Sequence, residues 1–445
     1  MAVLGIEIPK EAEYIINTLN SRGFEAFIVG GCVRDSILGK KPEDWDIATS
    51  ARPEETEALF EKTVSTGARH GTVSVIIEGR SYEVTTFRID GRYLDSRHPD
   101  RVEFTSSLVG DLSRRDFTMN AVAYHPAKGF IDPFDGLGDI KRRVIRAVGD
   151  AAERFREDAL RMLRAVRFSA QLDFSIEEKA TEAMKKNSRL IQNISAERIR
   201  DELTKTLVSD HPMKFILLRD THILPYVLPE FEVCFHTVQN HPCHVYNVAM
   251  HILNAVSNID NDRILRWTML LHDIGKPLVK ITDERNIDHF YGHSDKSVQL
   301  AEIILKRLRF DNKSISRILR LIKFHDRDIE PNFKAVRKAV AAIGDDIFAD
   351  LLKVKAADKK AQNPKFLKER LDRLKRVEDI FRQVVEKGEC VSLKGLAVNG
   401  DDLISLGFSQ GKEIRLMLDR LLDTVIENPD LNCKEKLLEI SKKFL

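Results

Sequence analysis

Two aspartates one residue apart, Asp44 and Asp46, close the stretch GGCVRDSILGKKPEDWDIAT at residues 30–49. Side chains at i and i+2 of a strand face the same way, so the pair can share metal ions. Mg²⁺ takes one or two protein carboxylates and leaves its other positions to water and substrate phosphates. Two such ions about 4 Å apart could activate an attacking hydroxyl and stabilise a departing pyrophosphate. Ahead of the pair, Gly30 and Gly31 offer a tight turn into a helix start, where backbone amides can approach a phosphate, and Arg34 adds a cation. A surface turn followed by an edge strand, with Asp35 paired to Arg34 or Lys40, accounts for the same residues without chemistry.

A second group lies in EDALRMLRAVRF, residues 157–168. Asp158, Arg161, Arg164 and Arg167 recur every three residues, which on a helix forms one ridge. A Glu157–Arg161 ion pair at i, i+4 would form there without any ligand. Yet a carboxylate only accepts hydrogen bonds and a guanidinium only donates them. Cytosine and adenine each present an amine donor beside an acceptor nitrogen, so both match an Asp158–Arg161 pair. Uracil and guanine would set a carbonyl oxygen against the carboxylate, at about 1–3 kcal/mol for each group left unpaired. Such a pair admits CTP and ATP and rejects UTP and GTP. From Lys141 to Arg167 there are nine Lys or Arg against four Asp or Glu, a local patch suited to a phosphate backbone.

A third group is spread over HPCHVYNV, LLHDIGKP, HFYGHSD, LIKFHD and KAAD, which supply His244, His272 with Asp273, His293, His325 and Asp358. Imidazole and carboxylate suit first-row transition metals such as Ni, Mn or Fe. One buried histidine is commonly a core residue; five positions in the order His, His-Asp, His, His, Asp are not explained that way. His241, His251 and His289 fall outside the series and read as surface or supporting residues.

The elements that must position these groups change character along the chain. FEAFIV, TVSVIIE and YEVTTF in the first 150 residues are β-branched and aromatic runs, interleaved with short helical stretches such as PEETEALFEK. Beyond residue 150 the apolar residues recur at helical spacing. The fold class is α+β: a mixed-sheet head over 1–150, a helical neck over 151–236, a helical body over 237–362 and a helical tail over 363–445. A chain of 445 residues with 43% hydrophobic and 31% charged residues is folded, not disordered, and too long for one core. A net charge of +2 confines any nucleic-acid surface to a local patch. Five scattered cysteines without a CxxC argue against a disulfide framework and for a reducing, cytoplasmic setting. No signal peptide and no membrane span is expected.

GGCVRDSILG…DWDIAT resembles the first motif of the class II tRNA nucleotidyltransferases, the CCA-adding enzymes of the DNA polymerase β superfamily. ARHGTV (68–73), RRDFTMNA (114–121), DPFDGLGDI (132–140) and EDALRMLRAVRF (157–168) continue the likeness in order. The resemblance implies that Asp44 and Asp46 bind Mg²⁺, that Gly31 and Arg34 line nucleotide phosphates, and that Arg115 and Asp116 contact the nucleotide. It assigns base selection to Asp158 and Arg161, leaving Arg164 and Arg167 to the triphosphate or to holding that helix. The expected partners are CTP, ATP and the acceptor arm and 3′ end of tRNA. The histidine series resembles the HD-domain phosphohydrolases, which implies a second metal centre hydrolysing phosphate esters at RNA ends. A-adding and CC-adding relatives are the nearest alternatives. RIDGRYLDSRHPDRVEF (88–104) resembles the loop that full CCA-adding enzymes use to switch from CTP to ATP, and it is shortened in CC-adding relatives. Bacterial poly(A) polymerases share the head, but ARHGTV looks like the CCA-adding type. Intact Asp44 and Asp46 argue against an HD phosphohydrolase whose head merely binds RNA, and a non-catalytic RNA-binding protein would require both metal sites to be silent.

Overall fold

The protein is described by a computed structural model covering residues 5–67, 71–91 and 102–445. ARHGTV and the 88–104 segment therefore lie partly outside the described residues. The chain divides into two compact units, Met1–Pro229 and Glu230–Leu445.

The first unit opens with helix α1 (Lys10–Ser21), whose Ala12, Ile15, Ile16 and Leu19 form one buried stripe. Strands β1 (Ala26–Val29), β2 (Asp46–Thr49), β3 (Thr63–Gly67), β4 (Thr72–Ile77) and β5 (Arg80–Thr86) follow, then the short β6 (Arg88–Asp90) and β7 (Val102–Phe104), and finally β8 (Ala123–His125) and β9 (Gly129–Ile131). Seven of them form one sheet in the order β3-β4-β5-β2-β1-β8-β9. Only β2–β5 is parallel, so the sheet is mixed, as expected. Central β1 is buried along its length, which its AFIV sequence requires. Alternation sends Ala26 and Ile28 into a core with α1, and Phe27 and Val29 into a second core with Phe87, Leu112 and Ala123. The register places Asp46 between Val29 of β1 and Glu83 of β5.

Helices α2 (Gly31–Ile37), α3 (Pro53–Leu59), α4 (Leu108–Ser113) and α5 (Gly136–Arg142) surround this sheet in sequence; α6 (Ala151–Glu157), α7 (Leu160–Leu172), α8 (Glu178–Asn187) and α9 (Ala196–Leu207) follow it. Two expectations need correction. Asp44 precedes the strand and does not lie on it, since β2 begins at Asp46. Asp158 is not on the ridge of Arg161, Arg164 and Arg167: it sits between α6 and α7 in an extended conformation, φ −138° and ψ 104°. Its carboxylate accepts from the Leu160 amide at 3.0 Å, and a capping aspartate competes with continued helix.

The second unit is helical apart from a small hairpin, Ile281–Thr282 with Asp288–His289. Helices Val248–Ser257, Arg263–Leu271, His293–Arg307, Asn312–Phe324 and Asp345–Lys360 carry the histidine series or flank it. Asn247, Asp262 and Asp311 cap three of them through side-chain oxygens. The last helices, Gly400–Leu406, Lys412–Glu427 and Lys434–Lys442, share a separate cluster around Leu403, Leu421, Val425 and Leu437. Among the described residues no helix is long and apolar enough to cross a membrane, and all five cysteines are free.

Candidate functional site

Gly30 joins β1 to α2 at φ +82°, in the left-handed region. A Cβ there would lie 3.0 Å from Arg115 Nη1 and 3.7 Å from Asp46 Oδ2, so glycine lets the turn, the cation and the carboxylate crowd together. Gly30→Ala is expected to cost about 1–2 kcal/mol from the backbone alone. It should also displace Arg115, a pair of effects that a urea midpoint and a nucleotide-addition rate will register separately.

Asp44 is exposed and Asp46 half-buried. Burial, then the negative charge of Glu83, pushes the Asp46 carboxyl up to about 6; Arg115 opposes this and Asp44 adds to it. Three carboxylates gathered at one strand end repel one another, and a divalent cation is what relieves that repulsion. Glu83 escapes a reading of the sequence because it joins the pair through the parallel β2–β5 register; a lone acid inside YEVTTF is the only local hint.

Of the predicted nucleotide-binding residues, Arg34, Asp116, Arg164 and Arg167 form one connected bracket. Arg34, 8% exposed, donates through Nη1 to Asn120 Oδ1 at 2.6 Å and holds Asp35 with two further bonds at 2.9 Å. A Cβ on Gly31 would lie 3.6 Å from its Nη2. Asn120 donates to Asp116 Oδ1 at 3.0 Å, and Arg164 Nε donates to Asp116 Oδ2 at 2.7 Å. Burial would raise the Asp116 carboxyl, but Arg164, Asn120 and the Phe117 amide outweigh it and hold it at about 2. Asp116 thus aims Arg164 and Asn120, while Arg115 stands beside Asp46. The Arg34, Arg164 and Arg167 guanidiniums lie 5.0, 5.3 and 4.2 Å from the Phe168 ring centre. Arg167 is also paired with Glu202 at 3.1 Å, yet burial, with Arg164 and Arg34 nearby, brings it down to about 10. A cationic cluster fixed in this way suits a polyphosphate.

Asp158 and Arg161 both have protein partners. Asp158 pairs with Arg198 of α9 at 2.8 Å. Arg161 makes the ion pair with Glu157, at 2.6 Å, and donates to the Arg114 carbonyl at 3.0 Å.

In the second unit the structure gathers His251, His272, Asp273 and Asp358 in one group and Asp273, His293 and His325 in another, with ligand-type atoms of each within 4.8 Å of one another. His251, read from the sequence as a supporting residue, takes a place in the first group. His244 stays outside both, its ring centre 5.2 Å from that of His251. Four imidazoles have Nδ1 against a backbone carbonyl: His251 with Ala361 at 3.3 Å, His272 with Met269 at 2.7 Å, His293 with Phe290 at 2.9 Å, and His325 with Ile322 at 2.6 Å. An N–H donated there turns each Nε2 inward, the arrangement a metal-ligating histidine needs. Against the effect of burial, Asp273 and Asp358 raise the His272 imidazole to about 10, so in the metal-free protein its Nε2 carries a proton that a metal would replace. His251 Nε2 and His272 Nε2 are buried without a well-formed hydrogen bond, although His251 Nε2 lies 3.0 Å from Asp358 Oδ1 and 3.2 Å from Asp273 Oδ2, and His272 Nε2 lies 3.3 Å from Asp273 Oδ2. Buried imidazole nitrogens that face carboxylates at these distances without hydrogen-bond geometry fit a metal centre better than they fit a plain ion-pair cluster. Lys276, absent from the sequence-predicted series, reaches Asp273 Oδ2 at 2.6 Å and Gln239 at 2.9 Å. Burial holds His244 at about 3, so it stays neutral at the pocket rim.

Fold and sites together define a nucleotidyltransferase-type head joined to an HD-type helical unit. Residues 26–146 match the poly A polymerase head domain, 173–235 the probable RNA and SrmB-binding site of polymerase A, and 238–363 the HD domain. A CCA-adding enzyme of Ligilactobacillus salivarius is 36% identical over 438 residues, which cover 98% of this chain and 96% of that one. The chain belongs to the CCA-adding enzyme family. A CCA-adding enzyme of Lactobacillus delbrueckii subsp. bulgaricus is 54% identical over 199 residues, 45% of this chain and 50% of that one. At that higher identity the chain spans about half the length of the curated relatives it matches. The crystal structure of the Bacillus stearothermophilus CCA-adding enzyme in complex with CTP superposes with a TM-score of 0.74 at 30% identity, over 98% of this chain and 97% of that one.

Proposed function

We propose that the head builds or repairs the 3′-terminal CCA of tRNA from CTP and ATP by Mg²⁺-dependent nucleotidyl transfer. The observation that carries this is the crowding of Asp46 and Arg115 around the Gly30 turn, with Glu83 beside Asp46, in a chain that aligns with a CCA-adding enzyme over 98% of its length. Mg²⁺ bound by Asp44, Asp46 and Glu83 would neutralise charge on the reacting phosphates. Arg34, Arg115, Arg164 and Arg167 bind the triphosphate; Asp116 with Asn120 fixes the direction of Arg34 and Arg164, Asp111 holds Arg115, and Glu202 holds Arg167. The CTP carried by the structurally matched enzyme agrees with a pyrimidine nucleotide in this bracket. The basic stretch from 141 to 167, with the segment 173–235, holds the acceptor arm of the tRNA. Free cysteines support a cytoplasmic place of action. Incorporation of labelled CTP and ATP into tRNA lacking its CCA end tests the reading: both nucleotides enter a full CCA-adding enzyme, whereas A-only or CC-only incorporation assigns the chain to the divided pathway.

Base choice rests on Asp158 and Arg161. An ionised carboxylate has about four acceptor positions, and the Leu160 amide and Arg198 use only part of them. Asp158→Ala is therefore expected to narrow the preference for CTP over UTP by about 10- to 100-fold, as loss of one discriminating contact does. Primer extension with each nucleotide measures it; undiminished discrimination would place base reading elsewhere.

The second unit supports a further activity, hydrolysis of phosphate esters at RNA ends. Its support is the set of four imidazoles locked with Nε2 inward around Asp273 and Asp358. The nitrogen-rich ligand set favours Ni, Mn or Fe, and such a metal would supply Lewis acidity to the phosphate. Lys276, held by Asp273 and Gln239, is placed to meet phosphate oxygens.

A further inference from the structure

We propose that Tyr291 and His289 form a base-stacking platform at the mouth of the HD pocket, so that this centre takes a nucleotide, free or at the end of an RNA, in preference to a bare phosphoester. The proposal rests on the phosphohydrolase reading of the same pocket. Tyr291 is 72% exposed. It is nonetheless ordered against His289, ring centres 5.3 Å apart and planes 5° from parallel. His289 is anchored by Asp283 Oδ2 at 3.0 Å, and its Nδ1 meets the Tyr291 hydroxyl at 3.3 Å. The stack is thus held by its edges, leaving ring face available to solvent. Both residues line a pocket of about 320 Å³ together with Asp273, Lys276, His293 and His325. One cavity therefore presents an aromatic face at its rim and a candidate metal centre with a lysine at its floor. Its size lies at the small end of ligand sites, right for a mononucleotide. A flat π-face accepts any base, so the site discriminates nucleotide from non-nucleotide and not one base from another.

Uridine 2′,3′-cyclic phosphate is the suitable probe, because uracil is the pyrimidine the head rejects; ribose 2,3-cyclic phosphate is its base-free counterpart. With full-length protein loaded with Mn²⁺, the parent should bind and hydrolyse the uridine compound preferentially. Tyr291→Ala should raise KM and the calorimetric Kd for the uridine compound about tenfold, the loss of one stacking contact. It should leave kcat and every value for the ribose compound near those of the parent, and Tyr291→Phe, which keeps the ring but loses the hydroxyl contact to His289, should fall between the parent and Tyr291→Ala for the uridine compound. A trinucleotide ending in the same cyclic phosphate distinguishes the sources, binding more tightly if an RNA end is the substrate and equally if a free nucleotide is. Equal parent affinity for the two cyclic phosphates, no binding of either, or a Tyr291→Ala effect shared by both overturns the platform. If the parent hydrolyses neither compound the phosphohydrolase reading fails, while the calorimetric comparison still decides whether a base is recognised.

Discussion

Asp46→Asn should cut nucleotide addition by about a thousandfold or more while leaving the metal-free protein more stable than its parent above pH 6. The two effects have one cause. The Asp46 carboxyl is raised from 3.8 to about 6 by burial, then by Glu83 and Asp44. A carboxyl whose folded pKa is raised stabilises the fold fully below the unfolded value, and that contribution is lost as pH rises through 6. Near neutrality the ionised form is a liability on the order of 2 kcal/mol, reduced by solvent at a half-buried site. Asparagine removes the charge and keeps the shape. Mg²⁺ should reverse the order, raising the melting temperature of the parent but not of Asp46→Asn, because only the parent gains binding free energy. Thermal melts at pH 5 and pH 7.5, with and without Mg²⁺, read this directly. Near-normal addition by the variant, or no gain in its metal-free stability, would remove Asp46 from the metal site.

What the sequence disclosed of these sites was what lies close along the chain. Asp44, Asp46 and the Gly30 turn fall within seventeen residues and were legible from type and spacing. Glu83 was not, because it reaches Asp46 through a strand pairing that local pattern does not encode. The ridge of arginines was legible from its period, but the break at Asp158 depends on a capping bond to Leu160 that outweighs the periodic pattern. In the HD unit, choosing His244 over His251 followed the order of motifs. Helical periodicity favours His251, which sits three residues after buried Val248 and four before buried Ala255, on the apolar face of its helix. His244 precedes that helix. The α+β head and helical remainder were readable throughout, since strand and helix periods differ over whole segments.

Removing His272 should separate the two units functionally. In His272→Gln, phosphoesterase activity should fall to background with Mn²⁺, Ni²⁺ or Fe²⁺, while CCA addition stays within about twofold of the parent, since the head supplies its own ligands. Loss of a ligand also has a readout without turnover: the rise in melting temperature that Mn²⁺ gives the parent should vanish. Glutamine is the informative replacement. His272 is fully buried with its Nε2 3.3 Å from Asp273 Oδ2, and alanine would leave that carboxylate facing a cavity. Breaking a buried charged pair in this way costs about 3–5 kcal/mol, enough to confound lost activity with lost folding. Glutamine restores part of the volume and a donor, so its circular dichroism and metal-free melt should stay close to the parent. His244→Gln is the matched control: a residue at the pocket rim outside both ligand groups should keep the metal-induced shift. Equal loss in the two variants would return His244 to the ligand set. A parent without phosphoesterase activity under all three ions would leave the unit to hold RNA, with its inward-facing imidazoles binding metal for structure alone.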